Sequence, residues 1–254
     1  MLTLSVVIIT KNEAADITEC ITAAKAVSND IIVIDSGSID NTVNIAKNAG
    51  AKVIYTKWEN FSTSRNIGAS YAINDWILSI DADERITTAL ATSIKKINDP
   101  TPSIIYGFKR ENYFVSKKIR FGDWGHDVVY RLYNKTNTQW QVVPVHETLI
   151  TDHSTKNMLS GKVLHYPVKD MGEYIEKTTR YAVLSARKYI ALKRKPRIVK
   201  KTGSPIFNFL ACYFFRLGFL DGKEGFIIAL YTGYYSWLKY YYHGIMYESA
   251  NLKI

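Results

Sequence analysis

The chain has 254 residues, 47% apolar and 13% aromatic, enough for a sizeable core. Its net charge of +10 is uneven: residues 1–150 carry 16 basic and 16 acidic side chains, whereas residues 151–254 carry 17 and 7. The two cysteines, Cys20 and Cys212, lie far apart, which excludes a disulfide-stapled scaffold and suits reduced thiols in a cytosolic compartment.

Leu4 to Thr10 is apolar and β-branched and reads as a buried strand rather than a signal peptide, since no basic flank or small-residue cleavage site accompanies it. It runs into Lys11-Asn12-Glu13. Ala14 to Ala26 has helical composition, with Ile17, Ile21 and Ala24 on one face. Asp30 to Asp35 is a second buried strand, closed by Ser36-Gly37-Ser38, and Asp40-Asn41 is expected to cap the helix that stops at Gly50. Lys52 to Tyr55 makes a third strand, Ser62 to Ile73 a third helix, and Trp76 to Ile80 a fourth strand. This β-α-β-α-β-α-β order with short connections predicts an α/β fold with a parallel, doubly wound sheet and right-handed crossovers.

After a helix expected over Thr87 to Ile97, Asp99-Pro100-Thr101-Pro102 breaks the pattern. Strand-like pieces follow at Ile104 to Val115, Lys118 to Phe121, Val128 to Tyr133 and Lys162 to His165. A long helix is predicted from Met171 to Lys195, ended by Pro196 inside the basic run Lys193 to Lys201. Two apolar segments close the chain, Pro205 to Leu220 and Phe226 to Tyr242. Neither reaches the roughly 20 uninterrupted apolar residues of a spanning helix.

The chemistry sits at strand ends. In an open α/β sheet, ligands bind beyond the carboxyl ends of the strands. Three strands deliver polar residues to that edge: Thr10, Asn12 and Glu13 from the first; Asp35, Ser38 and Asp40 from the second; Asp81 and Asp83 from the fourth. Two carboxylates separated by Ala82 make a hard-oxygen site for Mg²⁺ or Mn²⁺ shared with a phosphate group. The plainer reading of Asp81-x-Asp83 is a strand end before an acidic helix start, and Asp35 has an alternative role as a turn or capping residue. Arg65, opening the third helix, has the reach and charge for a nucleotide phosphate. The sequence holds neither a glycine-rich dinucleotide fingerprint nor a Gly-Lys-Ser phosphate loop, which argues against NAD(P) and ATP.

Thr-Lys-Asn-Glu at 10–13, Asp-Ser-Gly-Ser-Ile-Asp-Asn-Thr at 35–42, Ser-Thr-Ser-Arg-Asn-Ile-Gly at 62–68 and Asp-Ala-Asp-Glu-Arg at 81–85 together resemble the GT-A glycosyltransferases of family 2. The continuation, with Arg131-Leu132-Tyr133, Val145-His146-Glu147 and Phe219-Leu220-Asp221-Gly222-Lys223-Glu224-Gly225, is similar to the bacterial branch that builds the lipopolysaccharide inner core. The resemblance implies a GT-A catalytic domain over 1–168, with a nucleotide-sugar half at 1–98 and an acceptor half at 99–168, then a helical region at 169–254. It implies that Thr10, Asn12 and Glu13 border the nucleotide, Asp35 faces the base, Arg65 lies near the nucleotide, Asp81 touches the ribose and Asp83 binds the bridging metal.

Inverting transfer needs a base for the acceptor hydroxyl. Glu147 is the expected residue, since it follows a strand-rich segment and matches the branch's His-Glu pair; Asp123 and Asp127 compete. His165 is a candidate third ligand for metal or diphosphate. The Gln-x-x-Arg-Trp motif of processive synthases is missing from the sequence, which suggests one sugar per acceptor.

The expected enzyme is thus a metal-dependent glycosyltransferase using a nucleotide sugar, UDP-linked by resemblance, on a lipid-linked saccharide such as lipopolysaccharide core. Rival readings are transfer to polyprenyl-phosphate or capsule intermediates, and a non-catalytic nucleotide-sugar-binding protein. The basic, aromatic tail is expected to meet anionic lipid rather than nucleic acid, at the cytoplasmic face of the inner membrane. A helical hairpin packed on the catalytic domain or on a second copy, making a homo-oligomer, is the alternative for the tail.

Overall fold

A computed structural model describes residues 2–142, 147–151 and 154–251. Strand and helix alternate as expected through β1 (Leu4–Thr10), α1 (Ile17–Ala24), β2 (Asp30–Asp35), α2 (Thr42–Asn48), β3 (Lys52–Tyr55), α3 (Phe61–Ser70) and β4 (Trp76–Asp81). There follow β5 (Glu84–Ile86), α4 (Thr88–Lys95), β6 (Ile104–Phe114), β7 (Lys117–Lys118), β8 (Asp127–Asn134), β9 (Thr155–Val168), α5 (Met171–Ala191), α6 (Ile198–Leu210) and α7 (Gly222–Asn251). The strands form one mixed sheet in the order β3-β2-β1-β4-β8-β6-β9-β5, with β7 paired to β6. The chain divides into two compact units, Met1–Arg110 with Val128–His165, and Glu111–Asp127 with Tyr166–Ile254. This is the expected α/β class with a helical C-terminal region.

In the first unit β1 is parallel to both β2 and β4, and β2 to β3. Every residue of β1 is buried, as a strand covered on both faces requires. The period of two then divides the apolar residues between two layers. Val6, Ile8, Ile31, Val33, Leu78 and Ile80 pack with Ile17, Ile21 and Leu90 on one side. Val7, Ile9, Ile32, Ile34 and Ile77 pack with Ala69, Tyr133 and Trp140 on the other.

Three local expectations change. The strand β5 intervenes before the helix expected from Thr87, pairing antiparallel with β9 through Glu84↔His165 and Ile86↔Val163. The α2 cap comes from Asp40 and not Asn41: the Asp40 carboxylate accepts the Thr42 N–H at 3.0 Å, while Asn41 makes no side-chain cap bond. The strand expected over Lys118 to Phe121 stops at Lys118. The Asp221 carboxylate accepts the N–H groups of Arg120 (3.0 Å) and Phe121 (2.7 Å), so those amides are unavailable to a ladder, and a 3₁₀ turn follows at Gly122–Trp124.

The second unit has its own core of Phe114, Ile119, Val168, Tyr174, Cys212, Ile228 and Ala229. Here α6 begins inside the basic run and continues through Pro205, where the sequence suggested a start. After α6 the chain widens into a π turn at Ala211–Phe215, passes Leu217 at φ 59° and a 3₁₀ turn at Gly218–Asp221, and re-enters a helix at Gly222. Large apolar side chains along this elbow face solvent, with Phe207 63% and Phe215 77% exposed. On α7, Phe226, Leu230, Tyr234, Trp237, Tyr241 and Ile245 continue the exposed stripe at steps of three and four residues. Among the described residues no single helix is long and apolar enough to cross a membrane; the pieces Val199–Phe215 and Gly218–Ser249 qualify only as a pair bent by 69°.

The glycine closing the α3 motif has a packing reason. A Cβ on Gly68 would lie 2.3 Å from Val7 Cγ1 and 3.1 Å from Ile34 Cγ1. Alanine favours a helix over glycine by about 1 kcal/mol, whereas forcing an extra carbon into a packed layer costs about 1–3 kcal/mol. Gly68→Ala is therefore expected to lower the unfolding free energy in a urea titration; equal or greater stability would contradict this account of the packing.

Candidate active site

The edge of the sheet predicted to carry the chemistry is aligned by register: Thr10 lies opposite Asp35, and Ile9 opposite Asp81. The contacts of this edge lie within the first unit. Thr10 is buried, and its hydroxyl has no hydrogen-bond partner among the described residues.

The loops after β1 and β2 are stapled together by their own polar side chains. Asn12, at φ 56°, donates its N–H to Ser38 Oγ (2.8 Å), and its Oδ1 accepts from Ile39 N (2.8 Å). Glu13 N donates to Thr42 Oγ1 (2.8 Å), and Asp40 Oδ2 accepts from Ala14 N (3.1 Å). Asp35 is buried and engaged in its own turn, accepting from Gly37 N (3.1 Å), Ser38 N (3.0 Å) and the Ser38 hydroxyl. Asn12, Asp35, Ser38 and Asp40 thus shape the crevice wall through the Asx-type turns their residue types favour.

At the end of β4 the arrangement is ionic. Arg65, 1% exposed, donates from Nη1 to Ser79 Oγ (2.7 Å) and from Nη2 to Asp81 Oδ1 (2.6 Å). Arg131 donates from Nη2 to Asp81 Oδ2 (3.2 Å) and lies 3.8 Å from Glu84 Oε2. The buried Glu84 carboxylate accepts the Asp81 N–H (2.9 Å) and a bond from Arg110 (3.2 Å). Burial by itself would raise the Asp81 carboxyl, but Arg131, Arg65, Arg110 and His165 hold it well below the usual carboxylate range. Arg131 is correspondingly raised by Asp81, Glu84 and Glu147 against the opposing effect of burial. Cys20 lies beneath, Sγ 3.4 Å from the Asp81 carbonyl oxygen, its thiol raised by burial and by Glu84.

Asp83 and His165 are brought face to face, Oδ1 to Nε2 3.6 Å, because β5 pairs Glu84 with His165. Asp81, grouped with them in the sequence, turns both carboxylate oxygens to arginines instead. Among the described residues no three His, Cys, Asp or Glu side chains cluster as a metal cage. One carboxylate and one imidazole still suit a divalent cation of the Mn²⁺ or Mg²⁺ type, which takes most of its ligands from substrate phosphates and water. Glu147 Oε1 lies 3.6 Å from Arg65 Nη2; its motif partner His146 lies outside the described residues. In the second unit Asp123 is ion-paired with Arg216, and Asp127 accepts from Asn112 (3.3 Å). Glu84, Arg110 and Trp140 were missed by sequence reasoning. For Glu84 the signal was its place in the Asp-Ala-Asp-Glu run; the other two carried none.

Residues 5–153 match the model of glycosyl transferase family 2. The chain belongs to that family. It is 27% identical over 246 residues to a glycosyltransferase of Rickettsia typhi, covering 89% of this chain and 82% of that one. It is 27% identical over 254 residues to the lipopolysaccharide core biosynthesis glycosyltransferase LpsC of Rhizobium meliloti, covering 93% and 90%. Among solved structures it resembles the glucosyl-3-phosphoglycerate synthase of Mycobacterium tuberculosis in complex with Mn²⁺ and UDP-glucose, at 23% identity and a TM-score of 0.35. That likeness covers 44% of each chain, so this family 2 glycosyltransferase spans less than half of the solved protein.

Because the Asp81 carboxyl sits below its ordinary value in the fold, the unfolded chain takes up the proton first as pH falls. The stability it contributes is complete above about pH 4, the unfolded value, and is lost as pH drops toward the folded one. Thermal melts between about pH 5 and 3 are expected to show a steeper decline for the native chain than for Asp81→Asn; parallel declines would remove Asp81 from the acid response.

Proposed function

We propose that this glycosyltransferase transfers a single sugar, with inversion, from a UDP-sugar to a lipid-linked saccharide of the lipopolysaccharide core type. The observation that carries the reading is the convergence on one sheet edge of the Asp83–His165 pair, the arginine-held Asp81 and Glu147. The similarity to LpsC over nearly the whole of both chains supports the acceptor class.

In this reading Asp83 and His165 hold a divalent cation, which when bound stabilises the charge developing on the diphosphate leaving group. Thr10, Asn12, Glu13, Asp35, Ser38 and Asp40 border the nucleotide. Arg65 and Arg131 fix Asp81, the residue that meets the ribose. The Glu147 carboxylate accepts the proton of the acceptor hydroxyl while that oxygen bonds to the anomeric carbon from the face opposite the diphosphate. The old carbon–oxygen bond breaks as the new one forms, and its electron pair leaves with the nucleoside diphosphate.

The same proposal puts the enzyme at the cytoplasmic face of the inner membrane. The apolar side chains of the α6–α7 elbow and of the exposed stripe along α7 offer an interfacial surface, and Lys193, Arg194, Lys195, Arg197, Lys200 and Lys201, near Tyr241 and His243 at the far end of α7, offer basic groups for anionic headgroups. Two sets of like charges facing each other would oppose a homodimer through this surface.

Two measurements test these statements. Purified protein given Mn²⁺ or Mg²⁺, core lipopolysaccharide and a panel of UDP-, GDP- and TDP-sugars is expected to release UDP from one donor, and Asp83→Asn to lose that turnover by about 10²-fold or more. Tight, metal-independent nucleotide binding without turnover would instead favour a non-catalytic binding protein. In flotation assays the protein is expected to rise with phosphatidylglycerol-containing vesicles, and Phe207→Ser with Phe215→Ser to leave it in the soluble fraction; equal flotation of both would remove the elbow from membrane binding.

A further inference from the structure

The motif residue next to Arg65 makes a contact that no step above uses. The Asn66 side chain donates from Nδ2 to the Trp140 carbonyl oxygen (2.9 Å), and its Oδ1 accepts the Trp140 N–H (2.9 Å). One primary amide thereby occupies both backbone groups of Trp140, as a neighbouring strand would. Trp140 in turn is paired with Leu149. Gln141 N donates to Thr148 O (2.9 Å), and Ile150 N to Gln139 O (3.0 Å), so residues 139–141 and 148–150 form a short two-stranded clamp. Glu147 stands at the first described position before that clamp's second limb.

The indole makes the second half of the arrangement. Trp140 is buried, and the guanidinium carbons of Arg65 and Arg131 lie 4.9 and 5.7 Å from its ring centre, within cation–π range. Its Nε1 donates to the Tyr133 hydroxyl at 3.1 Å, which fixes the ring plane. The same residue thus backs the two arginines that hold Asp81 and anchors the limb that presents Glu147 to Arg65 at 3.6 Å.

We infer that Asn66 and Trp140 are positioning residues for the transfer step, Asn66 setting the register of the Glu147 limb through the Trp140 backbone. The inference rests on the proposed role of Glu147 as the base. Displacement of a general base by about 1 Å costs on the order of 10²-fold in rate, whereas Asn66 bonds only the Trp140 backbone, and the indole that backs the two arginines keeps its own bond to Tyr133. Loss of Asn66 therefore acts on kcat.

The test is a double-mutant cycle on the full-length chain, using the UDP-sugar that turns over in the donor panel and core lipopolysaccharide as acceptor. Asn66→Ala is expected to lower kcat about 10- to 100-fold, with the UDP Kd changed less than threefold. Asn66→Asp keeps an oxygen for the Trp140 N–H and loses the donor to its carbonyl, so its kcat is expected to fall as well, with a folded far-UV spectrum. In a Glu147→Gln background, Asn66→Ala is expected to cost less than threefold more, because a residue acting through Glu147 has nothing left to position. Full additivity, or a loss of UDP binding equal to the loss of kcat, would overturn the inference and leave Asn66 a fold residue. Should Glu147→Gln retain native kcat, the assignment of the base fails on its own, and with it the route by which Asn66 acts.

Discussion

The structure turns on the carboxylate of Asp81, set at the end of a strand buried on both faces and held between two guanidiniums. A single carboxylate there would be expensive to leave unpaired. Arg65 reaches it from α3 at 2.6 Å and Arg131 from β8 at 3.2 Å. Arg65 also donates to Ser79 on the same strand, and Arg131 lies 3.8 Å from Glu84 at the start of β5. The position of α3, the path of the 81–84 turn and the approach of β8 to β4 are thus joined by one set of charges. Glu84 closes the set by accepting the Asp81 N–H, so the side chains that bracket Asp83 are immobilised before any substrate arrives. Preorganised charge of this kind is what makes a site effective on a developing anion, since little reorganisation is left for the reacting complex.

The strand ends were legible in the sequence because each is written locally. An apolar β-branched run marks a buried strand, and the polar residues that follow it must emerge at the same edge of a parallel sheet. Thr10 and Asp35 accordingly share a level in the register, with Asp81 one residue before it, opposite Ile9. The pairing of Asp83 with His165 was written nowhere locally: it depends on the three-residue strand Glu84–Ile86, too short for a periodic signal, meeting a strand some 80 positions later. Trp140 was hidden for a different reason. A tryptophan in a polar loop carries no pattern, and its importance comes from Arg131 on the preceding strand and from Arg65 and Asn66, which are distant in sequence. Within Asp35-Ser36-Gly37-Ser38 the residues foreseen as a nucleotide wall also satisfy the turn's own amides. Sequence identified the crevice and left the division between shaping and binding to the coordinates.

The second unit follows a different logic. Asp221 of the Phe-Leu-Asp-Gly motif is buried, accepts two amides of the 115–127 loop, and receives Lys117 on its carbonyl oxygen at 2.7 Å. Gly222, at φ 67°, then starts α7 in a conformation that a side chain would strain. The motif is therefore an internal joint, fixing a loop at one end of a long helix. Outside that joint Phe214, Phe215, Phe219 and Leu220 are exposed, and it is on such apolar exposure that the proposed membrane contact rests.

Charge arithmetic connects the site to its proposed substrate. Along the edge of the first unit, Arg65, Arg110 and Arg131 face Asp81, Glu84 and Glu147, so three guanidiniums meet three carboxylates. Asp83 stands against His165 instead, 3.6 Å away. In the proposed reading a divalent cation held by Asp83 and His165 would supply positive charge for a nucleoside diphosphate, and diphosphate affinity and cation affinity would then be linked. Glu147 and Asp81 both approach the same nitrogen, Arg65 Nη2, at 3.6 and 2.6 Å. The position of the proposed base therefore depends on the same buried guanidinium that holds the carboxylate at the end of β4, so the two cannot be moved independently.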